Sequence, residues 1–309
     1  MATTLTAPTD PGPQSGNIAA RSQLRSAVRA FAADPAGVGA LIVFVALVVY
    51  AFVLPLLASP AATEVQVTQN LDPPSLFGGH GPLLGTDHLG RQLSVLVAEG
   101  LRTSLIVGVV VVLITAVAGW LVGAVGAYLG GWQDQVVGRF MDVLNIFPGV
   151  LIAVSIVSAI GGGLAVIILV LSLEGLVIFG RLGRTIALSG KHAEYVLAAR
   201  MFGAGRLRVV IDHLGRVSLP AVLSLALVQL PQVILLEASL SFVGYGIQPP
   251  NTSIGLIVSD ERNFIAVQPW PVVFAGAILA LACVSLALIG IAGRKALVGT
   301  PGRVLRARR

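Results

Sequence analysis

Six long apolar runs dominate this sequence, at about 37–58, 103–129, 141–160, 164–180, 218–245 and 270–292. Each comes within a few residues of the roughly 20 that carry a helix across a bilayer. The rest of the chain could not clothe a water-facing surface around them. Only 11% of residues are charged and 56% are apolar, with a mean hydropathy of +0.91, whereas soluble domains hold about 25% charged residues. Disordered chains are charge-rich and apolar-poor, so that class is excluded. The single cysteine, Cys283, excludes a disulfide scaffold. The expectation is an all-α polytopic membrane bundle of six transmembrane helices.

The first run follows Arg21, Arg25 and Arg29, the layout of a signal peptide. A signal h-region has about 7–15 residues, and 37–58 is longer, so it reads as an uncleaved first span. Only Gly161, Gly162 and Gly163 separate the third run from the fourth, which predicts a tight helical hairpin.

The net charge of +6 is mostly arginine; the two lysines are Lys191 and Lys295. That bias, with heavy Ala, Val and Gly, fits a GC-rich bacterial genome. In a membrane protein a basic excess records topology. With six spans both termini share one side. That side carries three basic residues before the first span and Arg139 between the second and third. It also carries seven in the 181–217 loop and six in the tail after 293, leaving Arg91, Arg102 and Arg262 opposite. The positive-inside rule places both termini and the 181–217 loop in the cytoplasm of a bacterial inner (plasma) membrane. The accounting uses every basic residue, so no nucleic-acid partner is implied.

The chain then divides into a cytoplasmic N-terminal segment (1–36), a first span with an outer segment (37–100), a core (101–293) and a basic tail (294–309). Residues 1–36 open Pro/Thr/Ser/Gly-rich and read as disordered at the start. Residues 18–34 read as a basic anchor rather than an amphipathic helix. The outer segment is Pro-rich, and Asp87 or Thr86 is placed to cap a helix through 88–100.

The 181–217 loop is helical in composition. Glu194-Tyr195-Val196-Leu197-Ala198-Ala199-Arg200-Met201-Phe202 predicts a short helix ended by Gly203, with Val196, Ala199 and Phe202 on a loose apolar face. After Gly203-Ala204-Gly205, a second helix resumes at Arg206-Leu207-Arg208 and runs through Asp212 and His213. A helix–turn–helix there is either a docking surface or an interfacial helix lying on lipid.

At these residues the chain resembles a known family. Glu194-Tyr195-Val196-x-Ala198-Ala199-x-x-x-Gly203-Ala204 is similar to the cytoplasmic EAA loop of bacterial binding-protein-dependent ABC importer permeases. Leu84-Gly85-Thr86-Asp87-x-x-Gly90-Arg91, then Arg102-x-Ser104-Leu105, resembles the approach to the second span in the dipeptide/oligopeptide branch. Glu237-Ala238-Ser239-Leu240-Ser241-Phe242-x-Gly244-x-Gly246-Ile247-Gln248-Pro249-Pro250 resembles that branch's signature after the fifth span. Gly130-Gly131-Trp132 and Phe147-Pro148 fit as well. The resemblance is to the C-type permease and spans about residues 37–300. Two departures stand out. Leu197 replaces the triplet's Glu, and Gly215-Arg216 replaces the Leu-Pro after the motif His, displacing the nearest proline stop to Pro220.

The resemblance implies a type I importer permease fold and transport of di- or oligopeptides, with nickel, haem or another small solute as the alternative. It implies a B-type permease partner, one or two ATPase subunits and an extracytoplasmic substrate-binding protein. This chain has no phosphate-binding loop, since Gly190-Lys191 is followed by His192. It is not read as an enzyme, and ATP and Mg belong to the partners. The implied coupling residues are Glu194, Tyr195, Leu197, Ala198, Ala199, Arg200, Gly203, Ala204, Arg206 and His213. Candidates for the translocation path are Asn145, Gln229, Gln232, Glu237, Ser239 and Ser241. Candidates for binding-protein contact are Asp87, Arg91, Gln248, Asp260 and Glu261.

Glu174 and Glu237 lie within apolar runs, and an ionisable group in a membrane is by default a functional hypothesis; for Glu237 a structural hydrogen bond at the span end competes. Gly119-x-x-x-Gly123 and Gly126-x-x-x-Gly130 permit close helix packing, within the subunit or against its partner. Pro148 and Pro231 are placed to kink their helices. His80, His88, His192 and His213 are dispersed, so no His metal cluster is expected, and Cys283 has no base beside it. An ion-coupled secondary transporter is the remaining class, although no driving-ion site or inverted repeat is visible.

Overall fold

A computed structural model describes residues 28–59, 62–66, 70–75 and 82–298. The anchor arginines Arg21 and Arg25, His80 and the tail arginines from 303 onward lie outside the described residues. Residues 28–32 are helical, and the labelled helices after them are α1 (Pro35–Leu57), α2 (Leu93–Leu129), α3 (Gly131–Ile146), α4 (Gly149–Ile160), α5 (Leu164–Gly190), α6 (Glu194–Met201), α7 (Arg206–Phe242), α8 (Ile254–Glu261) and α9 (Trp270–Val298). No strand forms among the described residues. Five helices (α1, α2, α5, α7 and α9) are long and apolar enough to cross a membrane, and α3 with α4 makes a sixth if the bent pair is one broken span.

Asp34 caps α1, its side chain accepting from the amides of Ala36 and Gly37, with Pro35 at the first helical position. The second span corrects the expected boundaries. Asp87 and Thr86 cap no helix at 88. The Asp87 carboxylate instead accepts from the amides of Leu89 and Arg91 and holds a turn, and α2 begins at Leu93. It then runs 37 residues unbroken, about 55 Å at 1.5 Å per residue, straight through residue 100 into the second span. The third run bends at Pro148, where a kink was expected, sharply enough to make two elements. It is two helices meeting at an angle of 86°, with the break at Phe147-Pro148, where Pro148 supplies no amide and holds extended backbone. Glycine turns at 161 and 163 (φ +92° and +145°) reverse the chain into α5, as the spacing predicted.

Helix α5 continues to Gly190, ten residues past its apolar stretch, which shortens the 181–217 loop. The expected stop at Pro220 does not occur, and neither Pro220 nor Pro231 breaks α7. Pro231 leaves the Leu227 carbonyl without its i+4 donor, and that carbonyl lies against Gly290 of α9, where an added Cβ would sit 3.1 Å away. A π-helical segment, Val209–Leu214, takes up the irregularity at the start of α7.

The most extensive packing in the bundle is α2 against α5. Glycines make it possible. A Cβ on Gly119 would lie 2.9 Å from the Leu176 carbonyl oxygen, and one on Gly175 2.6 Å from the Thr115 side chain. At Gly123 it would collide with the Gly180 carbonyl, and at Gly183 with that of Trp120. The Gly119/Gly123 pair is therefore an intrasubunit contact. Gly126 receives Val137 of α3, and Gly130 faces open space at φ +70°.

Three apolar clusters stack along the bundle. One joins α1, the start of α2, α8 and α9 around Leu47, Leu93, Leu101 and Ile257. A middle one joins α2, α4, α5 and α7 around Val111, Val157, Ile167 and Val233. The third, at the basic end, joins α2, α5, α6 and α7 around Trp120, Ala187, Val196 and Leu214.

Candidate functional site

Helix α6 is a short element standing proud of the basic end. Val196 is fully buried in the third cluster, and Ala199 and Ala204 pack on its edge. The helix ends in a Schellman arrangement: the Gly203 amide donates to the Arg200 carbonyl and the Ala204 amide to Ala199, each at 3.0 Å, with Gly203 at φ +83°. This fixes the turn into α7. The outward side carries Glu194, Tyr195, Leu197, Ala198, Arg200, Gly203 and Arg206, all exposed, while His213 is partly buried.

One expectation fails here. Phe202 is not on the buried face with Val196 and Ala199. It is the C-cap, outside the helical repeat, and it is 92% exposed beside Met201 at 82%. A repeat of three also drifts off a 3.6-residue helix. These two projecting apolar side chains were absent from the expected coupling residues. Their signal was two large apolar residues directly before a helix-ending glycine.

The cytoplasm-assigned arginines are partly tied into the bundle. Arg184 forms a two-point ion pair with Asp134 of α3 (2.7 and 2.9 Å), and Arg181 reaches Asp142 at 3.4 Å.

The candidates for the path do not share one surface. Glu237 and Ser241 are fully buried. Glu237 accepts from Ser104 of α2 (2.6 Å) and Ser241 of α7 (2.7 Å), and Ser241 in turn accepts from the Ile247 amide. It is a hydrogen-bonded knot joining α2 to α7 and the following turn, so the structural alternative describes Glu237. Gln229 is also buried, whereas Gln232 and Ser239 are exposed. Asn145 lies elsewhere, at the α3–α4 break, in a cavity of about 250 Å³ shared with Glu174.

At the opposite end the approach to α2 is knitted to α8. Arg91 Nε donates to Asp87 at 2.6 Å, and His88 Nδ1 lies 2.7 Å from Glu261 Oε1. The His88 ring stacks on Phe264. Asp87 and Glu261 are 0% and 1% exposed, which corrects their placement as contact residues: both Asp87 oxygens and Glu261 Oε1 are taken up inside the chain, and Glu261 Oε2 is buried without a partner among the described residues. Gln248 and Asp260 are exposed. Partial burial raises the Asp260 carboxyl above the usual range, opposed by nearby His88 and Arg91. Asp87, His88 and Glu261 each bring one ligand atom within 4.8 Å of the others, a grouping that the dispersed histidines did not suggest; Arg91 already occupies the Asp87 carboxylate.

Residues 115–292 match the family described as binding-protein-dependent transport system inner membrane component. The chain belongs to that family. Residues 22–74 match the N-terminal transmembrane domain of oligopeptide transport permease C. The chain is 31% identical to the dipeptide transport system permease protein of Alkalihalophilus pseudofirmus, over 94% of each chain. It is 31% identical to the oligopeptide transport system permease protein of Mycobacterium bovis, over 87% of this chain and 92% of that one. It is 32% identical to the nickel transport system permease protein of Escherichia coli K12, over 68% and 76%. This is thus a multi-pass inner-membrane permease subunit of an ABC importer, with the type I fold, and the ion-coupled carrier is set aside.

Proposed function

We propose that this subunit forms half of the path for di- or oligopeptides delivered by an extracytoplasmic binding protein, and that α6 is where a partner ATPase engages it. The observation that carries the coupling role is α6 itself. Val196 and the Schellman turn anchor it rigidly to α2, α5 and α7, while Met201 and Phe202 project from its end. Two exposed large side chains at one point are an anchor for an apolar pocket on a partner. With Leu197 in place of the usual acidic residue, that apolar anchor carries the docking. ATP and Mg sit on the partner, and closure of the ATPase pair shifts α6 and, through the shared cluster, the spans. A B-type permease completes the pathway. Seventeen of 20 basic residues lie on the α6 side by sequence accounting, which supports cytoplasmic placement of α6 and both termini.

Peptide cargo is favoured by the dipeptide and oligopeptide permeases among the relatives. The nickel permease supports the second reading, import of a metal ion or another small solute. The test replaces Phe202 and Met201 together by Ser. Insertion and folding are expected to survive, because both side chains are outside the core. Co-purification of the ATPases and peptide uptake are expected to fall at least tenfold. Unchanged co-purification and uptake would overturn the docking role. Gly203→Glu is a poorer probe, since positive φ strains any side chain there.

A further inference from the structure

Glu174 is the eleventh residue of α5, about 15 Å along that helix and so near the middle of a 30 Å hydrocarbon layer. It is exposed on the surface of this chain and makes no hydrogen bond or ion pair with any described residue. A bare ionisable group at that depth does not face lipid; it faces a partner or water. The α3–α4 break lies directly beside it. Glu174 Oε2 would be 2.7 Å from a Cβ built on Gly149, the first residue of α4. Non-helical backbone at membrane depth is likewise tolerated only inside protein or along a water-filled cavity. The two features meet in one cavity, where Asn145 and Glu174 are the polar side chains of an otherwise apolar lining and Glu174 is the single ionisable one among the described residues.

We propose that Glu174, with Asn145 and the α3–α4 break, forms a water-filled cation-reading site in the transport path, which takes the terminal ammonium group of a passing peptide. The ammonium assignment rests on the peptide reading above; the anionic, wetted cavity does not. A peptide amino terminus carries several N–H donors and a positive charge. The carboxylate supplies the counter-charge and the Asn145 amide a neutral acceptor. The site needs no tight binding, since a cargo that must leave is served by a single carboxylate.

The test uses the transporter assembled with its partner permease and ATPases. In a Cys283→Ser background, Asn145→Cys becomes a reporter in the cavity. A trimethylammonium thiosulfonate reagent is expected to label it about tenfold faster than a sulfonate reagent of like size, and Glu174→Gln should abolish that preference. An unreactive thiol at 145, or a preference that survives Glu174→Gln, overturns the cation-reading cavity. So does loss of the B-type subunit on Glu174→Gln, which would put the carboxylate in a subunit seam. For the ammonium, Glu174→Gln is expected to lower uptake of a free-amine tripeptide several-fold and to spare the N-acetylated peptide. Equal loss for both overturns the ammonium assignment. An importer that carries neither peptide in its native form overturns the peptide reading and with it the ammonium, while the labelling result stands or falls separately.

Discussion

Glu237 shows how much a single buried side chain organises. Its two carboxylate oxygens collect hydroxyls from Ser104 and Ser241, and the hydroxyl of Ser241 also receives the amide of Ile247. Nothing there is free to meet a solute. Replacing Glu237 by Ala strands two buried hydroxyls, at a cost of about 1–3 kcal/mol for each unsatisfied group. The expected result is a clear drop in the melting temperature of the detergent-solubilised complex, with Glu237→Gln less affected because its amide keeps one oxygen acceptor. Equal stability of the Ala variant would argue against the knot. The run of apolar residues around 237 announced only that a carboxylate was in the wrong solvent. Its partner on α2 stands 133 residues earlier in the chain, and no spacing rule reaches that far.

The α2–α5 pair is the element on which the bundle depends. Its close approach rests on glycines of both helices: Gly119 and Gly123 on one side, Gly175, Gly180 and Gly183 on the other. Without a hydrophobic drive between helices in lipid, such contact is held by packing alone. Gly123→Leu would force a side chain into the Gly180 backbone, where no side chain can rotate aside. Overpacking typically costs about 1–3 kcal/mol, and a backbone collision belongs at the upper end. The expected outcome is a marked loss of folded protein on thermal challenge, whereas Gly138→Ala, on α3 with open space around it and ordinary helical backbone, should be tolerated. Equal tolerance of both substitutions would refute the seam. The small-xxx-small spacing was legible in the sequence; which helix it meets was not. The broken span teaches the same lesson from the other side. Residues 141–160 read as one apolar run because hydropathy averages over Phe147-Pro148, and a window of composition has no term for direction.

Across the whole molecule, charge and shape agree on a polarity. The end that holds α6 also holds the Asp134–Arg184 pair, and at the opposite end the Asp87–Arg91 pair fixes the turn before α2 while His88–Glu261 ties that turn to α8. With α6 and the tail on the cytoplasmic side, a green fluorescent protein fused after Arg309 is expected to fluoresce in cells, and alkaline phosphatase at the same place to be inactive. The reverse pattern would invert the topology and place α6 away from any ATPase.

The sequence by itself determined the solvent, the rough position of the apolar segments, the short helix ended by Gly203 and, through its motifs, the family. These are local properties: hydropathy, periodicity and turn chemistry act over a few residues, and positive φ at Gly203 is visible as a glycine. Tertiary structure alone decided that Asp87, Glu237 and Glu261 are buried and bonded to partners within this chain. It also decided that Phe202 projects and that Glu174 stands unpaired at a helix break. The physical reason is that burial and pairing belong to neighbours brought together from distant parts of the chain. A carboxylate has one meaning among serines and another beside an open cavity, and only the packing of α2, α5 and α7 distinguishes the two.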